Sequence, residues 1–224
     1  QKRLPGVDIV SLQPGTITFK GMLRGAELRK FYPDLDRPDI ISDAGLVHTR
    51  FGTNTLAKWS IAQPFGVIAH NGEVNSIRKI LKVMENLERM NAIPGTNIMP
   101  NASDSANLDR ALQFLQAKGL SLEESVRWMI HPPLDDLVKM PEAIRNYFAG
   151  VSRAMGSLKA IGPIALLGMD RNKIVAALDN MGLRPLRVVQ RKDKLVIIAS
   201  EVGMPHVDNR TKFDRIGPGE MRIL

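Results

Sequence analysis

Three polar segments of the chain hold residue types that could together bind a free amino acid. Arg50 leaves a strand-like run just before Thr53, and a guanidinium can form a two-pronged contact with a carboxylate. Asp104 opens a helical segment, where a carboxylate caps the helix or receives an ammonium. The Asn71-Gly72 pair is first a turn signal, but its side-chain amide and backbone N–H could also stabilise an oxyanion. Each segment alone favours the structural interpretation, whereas together they describe hydrolysis of an amino acid at its side-chain amide.

Other catalytic signatures are missing from the sequence. There is no G-x-S-x-G elbow, no phosphate-binding loop, no G-x-G-x-x-G and no H-E-x-x-H. Cysteine is absent as well, which excludes disulfides, thiolate zinc sites, iron–sulfur clusters held by this chain and a catalytic thiol within it. The histidines are scattered without metal-ligand spacing, and a lone histidine is more often structural; they are His48, His70, His131 and His206.

The chain is basic, with a formal net charge of +8. Such a balance can attract nucleic acid or anionic lipid, but the charges are dispersed and aromatic residues make up only 5%, too few for base stacking. No apolar stretch approaches the length of a membrane span, and no signal peptide is visible. We therefore expect no nucleic-acid partner, no membrane association and a cytoplasmic location.

The elements that must position the polar segments follow the order strands, helices, strands. Short strand-like runs at 7–12, 16–19, 45–49 and 66–70 surround a short helix at 25–32. Apolar residues at helical spacing and a capping box then predict helices near 74–87, 108–115, 121–130 and 141–155. Runs rich in Val, Ile and Leu predict strands at 164–167, 174–178, 186–189 and 195–199, with spacing that favours antiparallel hairpins. The chain is therefore expected to be a single α+β domain over residues 1–224.

Several long motifs give the chain a family resemblance. They are HTRFGTNT at 48–55, Trp59 with AQP at 62–64, HNGEVN at 70–75, SDSANLD at 103–109, LDNMGLRPLR at 178–187, VIIASEVG at 196–203 and IGPGEM at 216–221. With these motifs the chain resembles the glutamine amidotransferase domain of the glutamate synthase large subunit, a class II amidotransferase among the N-terminal-nucleophile hydrolases. The motifs come in the family's order and span most of residues 8–224.

The resemblance implies a role for each polar residue and a fold for the chain. Arg50 would bind the α-carboxylate of glutamine with help from Thr53, and Asp104 would bind the α-ammonium. The Asn71 side chain and the Gly72 N–H would form the oxyanion hole. Residues 178–187 and 199–201 would be scaffold, with Gly182 in a turn. The implied fold is a four-layer α/β/β/α sandwich of antiparallel sheets, incomplete at the N-terminus.

The chain departs from the family pattern at the nucleophile. The family uses a cysteine at the mature N-terminus, whose own α-amine serves as base, whereas this chain begins with Gln and contains no cysteine. Set against the family, it begins inside the domain. We therefore expect the nucleophile to come from a missing segment or a partner subunit. The chain also departs from the family's sequence pattern in two smaller segments, one after Asn75 and one at 159–163.

The leading hypothesis is part of a glutamate synthase that hydrolyses L-glutamine to glutamate and ammonia. The ammonia would be used to make glutamate from 2-oxoglutarate in a flavin-containing synthase domain or subunit. No cofactor is expected in this chain, while FMN and an iron–sulfur cluster are expected in the synthase module. The alternative is a catalytically inactive domain that binds glutamine or assembles a synthase complex. A third hypothesis, a nucleic-acid-binding module, rests on the net positive charge alone.

Overall fold

Two antiparallel sheets form the centre of the computed structural model, which describes residues 10–11, 13–50, 56, 58–89, 102–155, 158–201 and 212–224. The strands are β1 (Ile68–Gly72), β2 (Ile164–Met169), β3 (Ile174–Leu178), β4 (Arg187–Gln190), β5 (Val196–Ala199), β6 (Lys212–Arg215) and β7 (Met221–Ile223). The α-helices are α1 (Leu28–Phe31), α2 (Ile77–Arg89), α3 (Asp104–Ala117), α4 (Leu122–Met129), α5 (Leu134–Leu137) and α6 (Glu142–Met155). Short 3-10 turns cover Gly25–Glu27, Pro33–Asp36 and Trp59–Ile61.

The first sheet has the strand order β1-β2-β3-β7, and the second has the order β5-β4-β6. All the pairings are antiparallel, as the short connections between the last strands predict. Among the described strands, β1 lies at one edge of the first sheet and pairs with β2 alone, with Asn71 opposite Ala165 and Gly72 opposite Ile164. One side of β1 is therefore open to non-strand partners.

Side-chain alternation on the first sheet separates two hydrophobic cores. Ile164 and Leu166 of β2 point into the larger core, which is shared with α2, α3 and α4. Ala165 points the other way, into a smaller core that includes Leu186 and the partly buried Val188 of β4. Helices, first sheet and second sheet thus form three successive layers. The predicted α+β class with packed antiparallel sheets is confirmed, and the division into one domain stays a prediction.

The helix boundaries follow the capping residues in the sequence. Ser103 caps α3 by accepting a hydrogen bond from the Ala106 N–H at 3.2 Å. Ser121 and Glu124 form the predicted capping box at the start of α4. Helix α3 is the most deeply buried helix among the described elements, so its first turn is held firmly against the sheet. None of the described helices is long and apolar enough to cross a membrane.

The structure differs from the sequence prediction mainly in the first fifty residues. Residues 16–19 and 45–49 are not in strands, and the described part of the predicted 7–12 strand, residues 10–11, is not in one either. Strands β6 and β7 and helix α5 were not predicted. Strand β6 is exposed at every position, so it lacks the alternation of apolar and polar residues that marks a half-buried strand.

Candidate active site

The outer edge of β1, on the side away from β2, lies beside three of the predicted site residues, Asn71, Gly72 and Asp104. The Glu73 N–H donates to the Pro163 carbonyl at 2.9 Å, and the Met169 N–H donates to the Val67 carbonyl at 2.9 Å. These bonds set the antiparallel alternation, in which odd-numbered residues face β2. The backbone groups of residues 68, 70 and 72 therefore point outward, where the chain must supply other partners.

At the start of β1 this partner is the carboxylate of Asp109. Its Oδ1 accepts hydrogen bonds from the N–H groups of Val67 at 2.9 Å and Ile68 at 3.1 Å. Its Oδ2 accepts from the Gly66 N–H at 3.2 Å and from the Gln113 amide at 2.6 Å. Burial raises the pKa of Asp109, and these bonds oppose the rise. The carboxylate is saturated and fixes the strand to α3.

In the middle of β1 the outer edge is filled by Gln63. Its Oε1 accepts from the His70 N–H at 2.7 Å, and its Nε2 donates to the His70 carbonyl at 2.8 Å. At the end of the strand the pattern stops. The outward N–H of Gly72 has no acceptor within the described parts of the chain, and neither does the partly buried side-chain amide of Asn71. Two adjacent hydrogen-bond donors are thus left available at one corner.

Only glycine fits the position of Gly72. Its φ is +140°, a conformation that L side chains rarely adopt, and a Cβ built there would lie 1.7 Å from the Pro163 carbonyl oxygen. The missing side chain lets the strand end press against the Pro163 backbone.

Asp104 lies beside the same corner. Its Oδ2 accepts from the N–H of Val74 at 2.7 Å, two residues beyond Gly72, and its Oδ1 accepts from the Ser105 N–H at 2.7 Å. The carboxylate therefore joins the start of α3 to the segment that leaves β1. It is only partly buried, and each carboxylate oxygen can accept more than one hydrogen bond. Asp104 can therefore still receive an ammonium group.

Arg50 lies in the segment that runs past β1, and its side chain is exposed. The Arg50 N–H donates to Nδ1 of His48 at 3.1 Å. Burial lowers the pKa of His48, while hydrogen bonds to the backbone of Arg50 and His70 oppose the shift, which places this segment against the strand. The guanidinium has no ion-pair partner among the residues that the structure describes. Thr53, its predicted helper, lies outside the described residues.

Comparison with known proteins decides the family. A family model described as class-II glutamine amidotransferases matches residues 5–224. The chain belongs to the class-II glutamine amidotransferases. The family resemblance stated from the motifs is therefore confirmed.

The relatives of this amidotransferase chain include glutamate synthases. Ferredoxin-dependent glutamate synthase 2, chloroplastic, of Arabidopsis thaliana is 39% identical over 94% of the chain and 14% of its own length. Glutamate synthase [NADPH] large chain of Azospirillum brasilense is 32% identical over 95% of the chain and 15% of its own length. The chain thus spans about one seventh of the length of these relatives.

A solved structure also matches this amidotransferase chain. It is the glutamine phosphoribosylpyrophosphate amidotransferase of B. subtilis, complexed with ADP and GMP. The identity is 23% and the TM-score 0.39, over 70% of this chain and 26% of that one.

Two further residues near the corner formed by Asn71 and Gly72 were missed by sequence reasoning. His70 is 2% exposed, and its Nδ1 lies 2.7 Å from the Ser105 hydroxyl. In the sequence it counted as one scattered histidine, although its place directly before Asn71-Gly72 was a usable signal. Arg184, taken as scaffold, lies near enough to lower the pKa of His70.

The motif at 178–187 supports the site from the end of β3. Asp179 is buried, and its carboxylate accepts hydrogen bonds from the N–H groups of Met181 and Leu183 at 3.0 Å, and of Ile164 at 3.2 Å. Gly182 lies in this turn with a φ of +67°, as the family resemblance implies. Because Ile164 lies opposite Gly72, Asp179 holds the neighbour of the proposed oxyanion corner in place.

Proposed function

We propose that this chain supplies the glutamine-binding groups and the oxyanion hole of a glutamate synthase-type amidotransferase, which hydrolyses L-glutamine to glutamate and ammonia. The observation that carries the proposal is the corner at the end of β1. There the Asp104 carboxylate accepts a hydrogen bond from the Val74 N–H at 2.7 Å, beside the donors of Asn71 and Gly72, which have no acceptor among the described residues. A negative group for an ammonium and two donors for an oxygen anion lie together, as hydrolysis of a side-chain amide needs.

In the proposed reaction each of these residues has one role. Asp104 binds the α-ammonium of glutamine, and the Arg50 guanidinium binds the α-carboxylate with help from Thr53. The side-chain carbonyl oxygen lies between the Asn71 amide and the Gly72 N–H. When a thiolate attacks Cδ, the oxygen gains negative charge and both donors strengthen their hydrogen bonds. The oxygen then re-forms its double bond to Cδ as the C–N bond breaks, and the nitrogen leaves as ammonia with the proton that the α-amine of the cysteine took from the thiol. Water next attacks the thioester, which releases glutamate and returns the thiol.

The thiolate must come from outside these residues, because the 224-residue sequence contains no cysteine. We assign it to a Cys-bearing segment or partner subunit. The ammonia passes to a flavin-containing synthase domain or subunit that makes glutamate from 2-oxoglutarate. FMN and an iron–sulfur cluster belong to that module; a cluster does not fit this chain, which has no thiolate to hold it. The cytoplasmic location also remains a proposal.

The lack of a cysteine favours a second candidate, an inactive domain that binds glutamine or assembles a synthase complex. The two proposals differ in one measurement. The chain alone should show no glutaminase activity, and addition of the Cys-bearing segment should restore it. Robust hydrolysis by the chain alone would overturn the assignment of roles. Glutamine binding without turnover in the complete assembly would favour the inactive domain.

The role of Asn71 is tested in the active assembly by the substitution Asn71→Ala. Loss of one oxyanion-hole donor should lower kcat on the order of 100- to 1000-fold and leave the affinity for glutamine nearly unchanged. Asn172→Ala is the matched control, because Asn172 lies in the exposed turn between β2 and β3. If affinity falls and kcat does not, Asn71 is a binding residue rather than a transition-state donor.

A further inference from the structure

His70 is buried directly beneath the corner formed by Asn71 and Gly72. Its Nδ1 lies 2.7 Å from the hydroxyl of Ser105, the residue that follows Asp104 at the start of α3. Its Nε2 is buried and has no hydrogen-bond partner among the described residues. That nitrogen lies 3.4 Å from the position that a Cβ on Gly72 would take. The imidazole thus contacts both halves of the site, the helix that carries Asp104 and the strand end that carries Gly72.

The hydrogen bonds around Ser105 assign the proton on the His70 ring. The Ser105 hydroxyl donates to Oδ1 of Asp104 at 3.3 Å, and a hydroxyl has only one proton to give. We assign that proton to the bond with Asp104, so that towards His70 the hydroxyl accepts and Nδ1 carries the hydrogen. Nε2 then holds a bare lone pair. The other tautomer would bury an N–H without an acceptor, which is the rarer and more costly arrangement.

The charge of His70 decides what Asp104 can bind. The described groups that bond to the Asp104 carboxylate are the N–H of Val74 and the N–H and hydroxyl of Ser105, and all of them are neutral. A protonated His70 would be a positive charge close enough to interact with this carboxylate and would compete with an incoming ammonium. A neutral His70 leaves the negative charge to the ligand.

We propose that His70 is a positioning residue: held as a neutral imidazole by Ser105, it fixes the Asp104 carboxylate against the Gly72 corner and keeps its charge uncompensated for the ammonium of an amino-acid ligand. This inference rests on the proposed function for the identity of the ligand, glutamine. The arrangement of protons on His70 does not depend on it.

The charged groups that face His70 agree with a neutral ring. Burial lowers its pKa to about 4, the Asp104 carboxylate opposes the shift, and His48 and Arg184 add to it. Protonation would place an imidazolium in a buried site with two other basic side chains nearby. The ring is therefore neutral at pH 7.

The proton arrangement is measured by NMR on the purified chain, from long-range nitrogen–proton correlations of the imidazole rings. We expect His70 to carry its proton on Nδ1, to have a bare Nε2 and to titrate well below pH 6.5; His70→Asn identifies its signals. His131 is the internal control with the opposite tautomer, because its Nε2 bonds the Trp128 carbonyl at 2.9 Å. A proton on Nε2 of His70, or titration near pH 6.5, would overturn the inference whether or not glutamine binds.

The effect on the ligand is measured by calorimetry with L-glutamine and with its analogue that lacks the α-amine. His70→Leu removes the donor to Ser105, so affinity for glutamine should fall roughly ten- to a hundredfold, while affinity for the analogue changes much less. His70→Asn, whose amide takes the position of Nδ1, should restore most of the affinity. His131→Asn should leave both affinities unchanged.

The possible failures separate the two proposals. An equal loss for both ligands would mean that His70 is only structural and would overturn the inference. If the unaltered chain binds no glutamine, the proposed function fails, while the NMR result still decides the state of His70. If His70→Leu does not fold, Ser105→Ala gives the same comparison of the two ligands, because it removes the acceptor that holds Nδ1.

Discussion

Two aspartates of α3, Asp104 and Asp109, both accept hydrogen bonds from the backbone next to β1, but in different surroundings. Asp109 is 3% exposed, and three backbone N–H groups and the Gln113 amide occupy its oxygens. Asp104 is only partly buried at the first turn, and its described partners come from two residues, Val74 and Ser105. A saturated, buried carboxylate holds the strand, whereas a partly exposed one keeps capacity for a ligand.

The largest expected effect compares Asp109→Ala with Asp104→Ala. Loss of Asp109 leaves three backbone N–H groups without their acceptor, two of them buried, so the free energy of unfolding should fall by about 3–5 kcal/mol. Loss of Asp104 should lower the free energy of unfolding by only about 1 kcal/mol, because this carboxylate is partly exposed and water can take its place, yet it should abolish glutamine binding. Urea unfolding measures the two losses of stability, and calorimetry measures the binding of glutamine. Equal losses of stability would contradict the division into a structural and a binding aspartate.

A second prediction concerns the strand that Asp109 holds. Gly72→Ala forces a Cβ against the Pro163 carbonyl at a φ of +140°, so we expect a loss of about 2–4 kcal/mol in the free energy of unfolding. Gly150→Ala is the control, since Gly150 lies within α6 and a Cβ there would meet nothing within 4 Å. That variant should be more stable by about 0.5–1 kcal/mol. A Gly72→Ala chain as stable as the unaltered one would show that the strand end is free to shift.

The comparison also shows what could be predicted from the sequence. The start of α3 at Ser103 or Asp104 and the apolar spacing of the helix were visible in the sequence, and the family resemblance assigned Asp104 to the ligand. The same motif contains Asp109, but nothing local shows which aspartate is buried. That difference depends on contacts with residues 66–68, more than forty positions away. The role of His70 was hidden for the same reason, because its partner Ser105 is brought to it only by the packing of α3 on β1.

The smallest expected effect is the pH dependence that His70 gives to stability. Because the pKa of His70 is about 4 in the folded chain and 6.5 ordinarily, the unfolded chain binds a proton between these values that the folded chain does not. The contribution of His70 to the free energy of unfolding is therefore fully present above pH 6.5. It is lost as the pH falls towards 4, by on the order of 1 kcal/mol per pH unit. His48 and His131, whose pKa values are also lowered by burial, act in the same direction. Asp109, whose pKa is raised by burial, acts in the opposite direction above pH 3.8.

The variant His70→Asn isolates this contribution. Urea unfolding between pH 5 and 7 should give a shallower dependence of stability on pH for His70→Asn than for the unaltered chain. The slope should correspond to the uptake of up to about one proton fewer on unfolding. The two aspartates then give the sharper test. Since the Asp104 charge raises the pKa of His70, Asp104→Ala should move the NMR titration of His70 to still lower pH. Asp109 is not among the groups that shift His70, so the mild variant Asp109→Asn, if folded, should leave that titration in place. Equal shifts from both would mean that Asp104 has no special electrostatic link to the imidazole.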